Sequence, residues 1–162
     1  MLSRKFEKIN AAPSILGFGT MRLPKLYPDK ADIDYEKGEK MIDYAYAHGV
    51  NYFDTAYPYH EQMSEAFIGH ALKKYPRDSF YLADKLPGWL VNTREDVDRI
   101  FEQQLDRCQV DYFDFYLCHA LNKEAFKTYE KLDIYDMLAQ RKADGQIRHL
   151  GFSFHDTPEA LE

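Results

Sequence analysis

VNYFDTAYPYHEQMS, residues 50–64, decides the fold. An apolar run ends on Asp54, a short polar turn follows, and a helical pattern begins at Ser64. A buried strand, a turn and an amphipathic helix make the repeating unit of a parallel α/β sheet. The same unit recurs on both sides. Upstream, residues 14–19 (SILGFG) read as a buried strand. Residues 37–48 read as a helix, with Met41, Ile42, Ala45 and Tyr46 at helical spacing and Gly49 as its carboxyl-terminal glycine. Downstream, the helix begun at Ser64 offers Ala66, Phe67, Ala71 and Leu72 for burial and ends before Pro76. Residues 80–85 (FYLADK) are a third strand. Asn92 or Thr93 caps a long helix to about Cys108, with Val97, Ile100, Phe101, Leu105 and Cys108 as its buried stripe. Residues 113–119 (FDFYLCH) are a fourth strand and residues 147–153 a fifth. Between them lie an irregular or short helical piece at 123–131 and a helix at 134–143, stopped by Asp144-Gly145. Thr157-Pro158 has the pattern of a helix start.

This alternation admits an open doubly wound sheet or a closed barrel. Thr20, Asp54, Lys85, His119 and Ser153 each stand at or just after a strand's carboxyl end, separated by 34, 31, 34 and 34 residues. An eight-unit barrel averages about 31 residues per unit and gathers its active site on that rim. After the first strand, GFGTMRLP is not the glycine-rich dinucleotide turn of an open sheet. The expectation is a partial (β/α)8 TIM barrel, with about five of eight units in one domain over residues 1–162. The chain would then be truncated in the helix after strand five. Such an arc has two open edges, which a second copy of the chain could cover by self-association.

Composition narrows the partners. At 45% hydrophobic and 15% aromatic, the chain can bury a core. The net charge of -6 is mild, and no basic block suits nucleic acid or an anionic membrane. Nothing reads as a secretory signal or a membrane span. Cys108 and Cys118 read as reduced thiols, consistent with a cytoplasmic protein.

Asp54, Lys85 and His119 bring a carboxylate, an ammonium and an imidazole to one rim, with Tyr57 and Tyr59 just beyond Asp54. Each alone could be structural: a turn aspartate, a solvated lysine, a core histidine, packing tyrosines. Together they suit proton transfer. A phenol with pKa about 10 is a poor catalyst near neutrality unless a neighbouring ammonium favours its ionised form. The carboxylate keeps that ammonium charged, and a neutral imidazole N–H can polarise a carbonyl. A metal-dependent hydrolase would use Asp54 and His119 as ligands. It lacks paired-histidine spacing, and Lys85 is badly placed beside a cation; no metal site is expected.

These residues lie in stretches that resemble the aldo-keto reductase superfamily: LGFGTMRLP, VNYFDTAYPYH followed by SEAFIGHAL, LADKLP, DYFDFYLCHAL and QIRHLGFSFHD. The resemblance covers essentially the whole chain. It implies an NADPH-dependent oxidoreductase acting on small-molecule carbonyl substrates, aldehydes or ketones. Tyr59 would be the general acid, Lys85 its activator, Asp54 the partner of Lys85, and His119 the group that orients the carbonyl. Thr20, Met21, Asp54 and Ser153 would lie at the nicotinamide end of the cofactor. The pyrophosphate and adenosine contacts would come from later units, so weak or absent NADPH binding is expected of this chain. A catalytically incompetent truncated fragment, or a structural remnant, is the alternative.

The sequence departs from the pattern at two places. HEQMSE stands where members often have a glycine before Ser-Glu, and GFSFH stands where many have Ser-Asn. The second resembles members with a carboxyl-terminal iron-sulfur module, whose cysteines would lie beyond Glu162. Trp89 is a candidate aromatic wall for a substrate.

Overall fold

The computed structural model describes residues 1–161. Five strands, β1 (Phe18–Gly19), β2 (Tyr52–Asp54), β3 (Tyr81–Leu86), β4 (Phe113–Leu121) and β5 (Ile147–Phe154), form one sheet in chain order. Every neighbouring pair is parallel. A doubly wound sheet reverses its strand order at a switch point. This one never reverses, so each unit adds to the same side of the last, as in a barrel wall. The helices are α1 (Tyr35–Ala47), α2 (Ser64–Leu72), α3 (Arg94–Cys108), α4 (Lys123–Lys131) and α5 (Ile134–Ala143).

The elements start and stop for local reasons. The Asp34 carboxylate accepts the Lys37 N–H at 3.1 Å and opens α1 two residues earlier than its apolar pattern does. Gly49 follows its end at φ 83°, a conformation glycine adopts without a Cβ penalty. Asp96 accepts the N–H groups of Asn92 and Thr93 at 3.0 and 3.1 Å and fixes the start of α3. All five expected stripe residues of α3 are buried. Residues 123–131, expected to be irregular or briefly helical, form a regular helix. Asn122 Oδ1 accepts from both Glu124 and Ala125 and supplies its cap.

Other expectations need correction. The first strand is only two residues long, not six, and Ile15 and Leu16 are exposed rather than buried. Ser14 instead pairs antiparallel with Ser3, so this segment closes an amino-terminal hairpin before joining the sheet. Met41 lies 44% exposed, because Ile42 alone of that quartet turns fully into the core. The turn after Thr157 is 3-10 rather than α-helical.

The core lies between the sheet and its helices, around Phe53, Phe67, Ile68, Leu82, Ile100, Phe101, Phe113 and Tyr116. One close approach is set by Gly69 of α2. A Cβ there would stand 2.6 Å from the carbonyl carbon and oxygen of Cys108 at the end of α3. Backbone cannot swing aside, so Gly69→Ala should push the helices apart and cost about 1–3 kcal/mol. The check is a lower urea midpoint with an unchanged slope.

Candidate active site

The register explains how the rim residues meet. Asp54 lies opposite Ala83, and Lys85 lies two residues farther along the same face of β3. Lys85 lies opposite Leu117, and His119 lies two residues farther along β4. Each site residue is thus stepped diagonally from the last, which long side chains can span. Lys85 Nζ donates to Asp54 Oδ1 at 2.7 Å and to the Thr55 carbonyl at 2.6 Å. The same ammonium stands 5.1 Å from the centroid of the Tyr59 ring. Tyr59 meets the His119 ring edge-on at 6.1 Å between centroids, and Trp89 approaches that imidazole at 5.0 Å. The structure therefore brings Asp54, Tyr59, Lys85 and His119 into one cluster. Tyr57 turns away; its hydroxyl donates to Gln103 at 3.4 Å and the Arg107 guanidinium covers its ring.

The electrostatics suit a proton-transfer site. Lys85 is buried, so its charge needs the carboxylate and carbonyl that it holds. Burial raises the Asp54 carboxyl above its ordinary range, and Lys85 offsets only part of this. Burial, then the Lys85 charge, then His155 push the His119 imidazole down to about 4. It is therefore neutral near pH 7. Among the described residues its buried Nδ1 has no hydrogen-bond partner, which leaves Nε2 as the ring nitrogen open to a carbonyl.

This depressed pKa has a stability consequence. Between about pH 6.5 and 4 the unfolded chain binds a proton that folded His119 resists, so stability falls as pH drops through that window. His119→Gln should make this acid limb shallower, as read from denaturation midpoints at stepped pH.

The residues named for the nicotinamide end divide. Met21 is exposed, and Asp54 and Ser153 are half-buried on the rim. Ser153 Oγ accepts the Ala120 N–H at 2.8 Å and steadies an irregularity in β4 where Ala120 takes φ 50°. Its own hydroxyl proton remains available to a ligand. Thr20 is fully buried; its hydroxyl donates to the Asp54 carbonyl at 3.0 Å and accepts from Ser64 at 2.6 Å. That side chain is committed to clasping β1, β2 and α2 together.

A network that the sequence reading missed lies behind Lys85. Asp84 Oδ1 accepts the Lys85 N–H at 2.8 Å, and Gln104 Nε2 donates to the Lys85 carbonyl at 3.0 Å. Gln104 also donates to Glu65 at 2.9 Å and accepts from Tyr116, while Arg107 pairs with Glu65 at 3.0 Å. Glu65, Asp84 and Gln104 are wholly buried. Burial, then the nearby Glu65 charge, raise the Asp84 carboxyl well above its ordinary range. One sequence signal was available: adjacent Asp84 and Lys85 must point to opposite faces of a buried strand, so both need partners. Among the described residues, no three His, Cys, Asp or Glu side chains are grouped to hold a metal, and no helix is long and apolar enough to cross a membrane.

Comparison with known proteins gives this geometry a context. Residues 15–162 match the Aldo/keto reductase family. "Probable aldo-keto reductase 1" of Glycine max is 29% identical over 151 residues, which cover 86% of this chain and 41% of that protein. The NADH-specific methylglyoxal reductase of Escherichia coli is 28% identical over 166 residues, covering 92% of this chain and 51% of its own length. The chain therefore spans about half the length of these curated relatives. Among solved structures, the holo form of an aldo-keto reductase from Bacillus halodurans superposes with a TM-score of 0.72 at 27% identity, over 95% of this chain and 50% of its own. An aldo-keto reductase from Klebsiella pneumoniae in complex with NADPH superposes with a TM-score of 0.71 at 26% identity, over 99% and 52%. With a family match over nearly its whole length, and five parallel units stepped like a barrel wall, this chain belongs to the aldo/keto reductase family.

Proposed function

We propose that the chain carries the proton-transfer site of an NADPH-dependent carbonyl reductase. The observation that carries this reading is the contact chain Asp54–Lys85–Tyr59–His119 on one rim. In this reading Tyr59 donates its phenolic proton to the carbonyl oxygen of an aldehyde or ketone. Lys85 lies by the ring and stabilises the phenolate left behind, and Asp54 holds that ammonium in place. His119, neutral and open at Nε2, orients the carbonyl by a hydrogen bond. Trp89, beside His119, walls the substrate. NADPH, when bound, supplies the hydride; Met21, Asp54 and Ser153 would border its nicotinamide, with Thr20 bracing that corner from within. Together, residues 1–162 would be the amino-terminal part of a reductase barrel domain.

The residues fit that cofactor's nicotinamide end on two features: a free hydroxyl proton at Ser153 and exposed Met21 on the same rim as Asp54. A second reading, that the rim is catalytically silent in this chain, draws on the sheet edges. Among the described residues, β1 and β5 each have a strand partner on one side only. Turnover separates the two. The reductase reading expects NADPH consumption that depends on an added test aldehyde and is lost in Lys85→Met. Consumption indifferent to Lys85 would reject it.

A further inference from the structure

We propose that His60 is a positioning residue for Tyr59, clamping the loop after β1 onto a left-handed turn that starts directly after the phenol; this rests on the reading of Tyr59 as proton donor. His60, Glu61 and Gln62 take φ of 50°, 52° and 72° in succession, and none is glycine. For L-residues this conformation is costly, and a run of it persists only where the surroundings over-determine it. The turn closes on Tyr59 itself: its carbonyl accepts the N–H groups of Gln62 at 3.1 Å and Ser64 at 3.3 Å.

Both ends of the turn are tied. His60 Nε2 accepts the N–H of buried Leu23 at 3.2 Å, and Nδ1 faces the Ala31 carbonyl at 3.2 Å. A backbone N–H can only donate and a carbonyl can only accept, so the proton must sit on Nδ1. Both ring nitrogens are then satisfied by a loop distant in sequence. At the other end, Gln62 Oε1 accepts from Arg107 at 3.1 Å. Released from His60, the turn can relax toward right-handed geometry. That relaxation would swing Tyr59 away from Lys85 and His119. The clamp also ties the segment carrying Met21 to the phenol, so the two sides of the rim hold a fixed spacing.

Nuclear magnetic resonance on the chain tests this without cofactor or turnover. Its failure therefore stays separate from that of the reductase reading, which Tyr59→Phe judges. In the unmodified chain, nitrogen-15 spectra should show the His60 proton on Nδ1. A cross-peak between the Tyr59 and His119 rings should be present, should vanish in His60→Ala, and should return in His60→Gln, whose amide can both accept from Leu23 and donate to Ala31. A proton on Nε2, or a cross-peak that survives in His60→Ala, overturns the proposal. Should His60→Ala fail to fold, the site of the proton in the unmodified chain decides.

Discussion

Tyr59→Phe should lower aldehyde turnover by about 10²–10⁴-fold, the usual contribution of a positioned general acid. The substitution removes one oxygen and keeps the ring, so the edge-on packing against His119 and the place beneath Lys85 both survive. The denaturation midpoint should be unchanged. Cofactor affinity should also be unchanged, because the phenol is not among the residues bordering the nicotinamide. The loss belongs in turnover rather than binding: the proton is transferred only as the carbonyl is reduced. A fall in cofactor affinity as large as the fall in turnover would mean that Tyr59 binds rather than reacts.

Arg107→Met should have the largest effect on stability. Glu65 is wholly buried, and among the described residues Arg107 is its only cationic partner, reaching in from a partly exposed position. Removing one member of a buried pair typically costs about 3–5 kcal/mol, because the remaining charge has lost its compensation. The same guanidinium also holds Gln62 and covers Tyr57. Urea denaturation should show the loss. In the double variant Arg107→Met, Glu65→Gln much of it should return, since the stranded charge is gone. A loss below about 1 kcal/mol in the single variant would place this pair with ordinary surface bridges.

The architecture was legible because periodicity reports on burial. The α3 stripe from Val97 to Cys108 and the polar residues ending successive strands follow directly from helical and strand geometry. The clustering of Asp54, Lys85 and His119 was legible for the same reason, since each ends a strand in one parallel wall. The first strand misled because Ile15 and Leu16 are apolar yet lie in the bend between the amino-terminal hairpin and β1, which leaves them at the surface. Apolar type alone cannot tell a buried run from an exposed one. The support behind Lys85 was hidden for another reason. Glu65, Asp84, Gln104 and Arg107 are scattered in the sequence and meet only when α2, α3 and β3 pack. The missing glycine after Tyr59 was legible as a departure, but its resolution was not. A left-handed run at His60, Glu61 and Gln62 becomes tolerable only through long-range partners at Leu23, Ala31 and Arg107.

The chain has one tryptophan, Trp89, and its ring lies 5.0 Å from that of His119, so its emission reports on the rim alone. The most direct measurement is a titration of this emission with NADPH. The account predicts a saturable quench, weak but complete by millimolar cofactor, followed by Tyr59-dependent reduction once a test aldehyde is added. No saturable change up to millimolar NADPH would contradict it, and would mean that this rim holds the catalytic quartet without serving as a nicotinamide site in this chain.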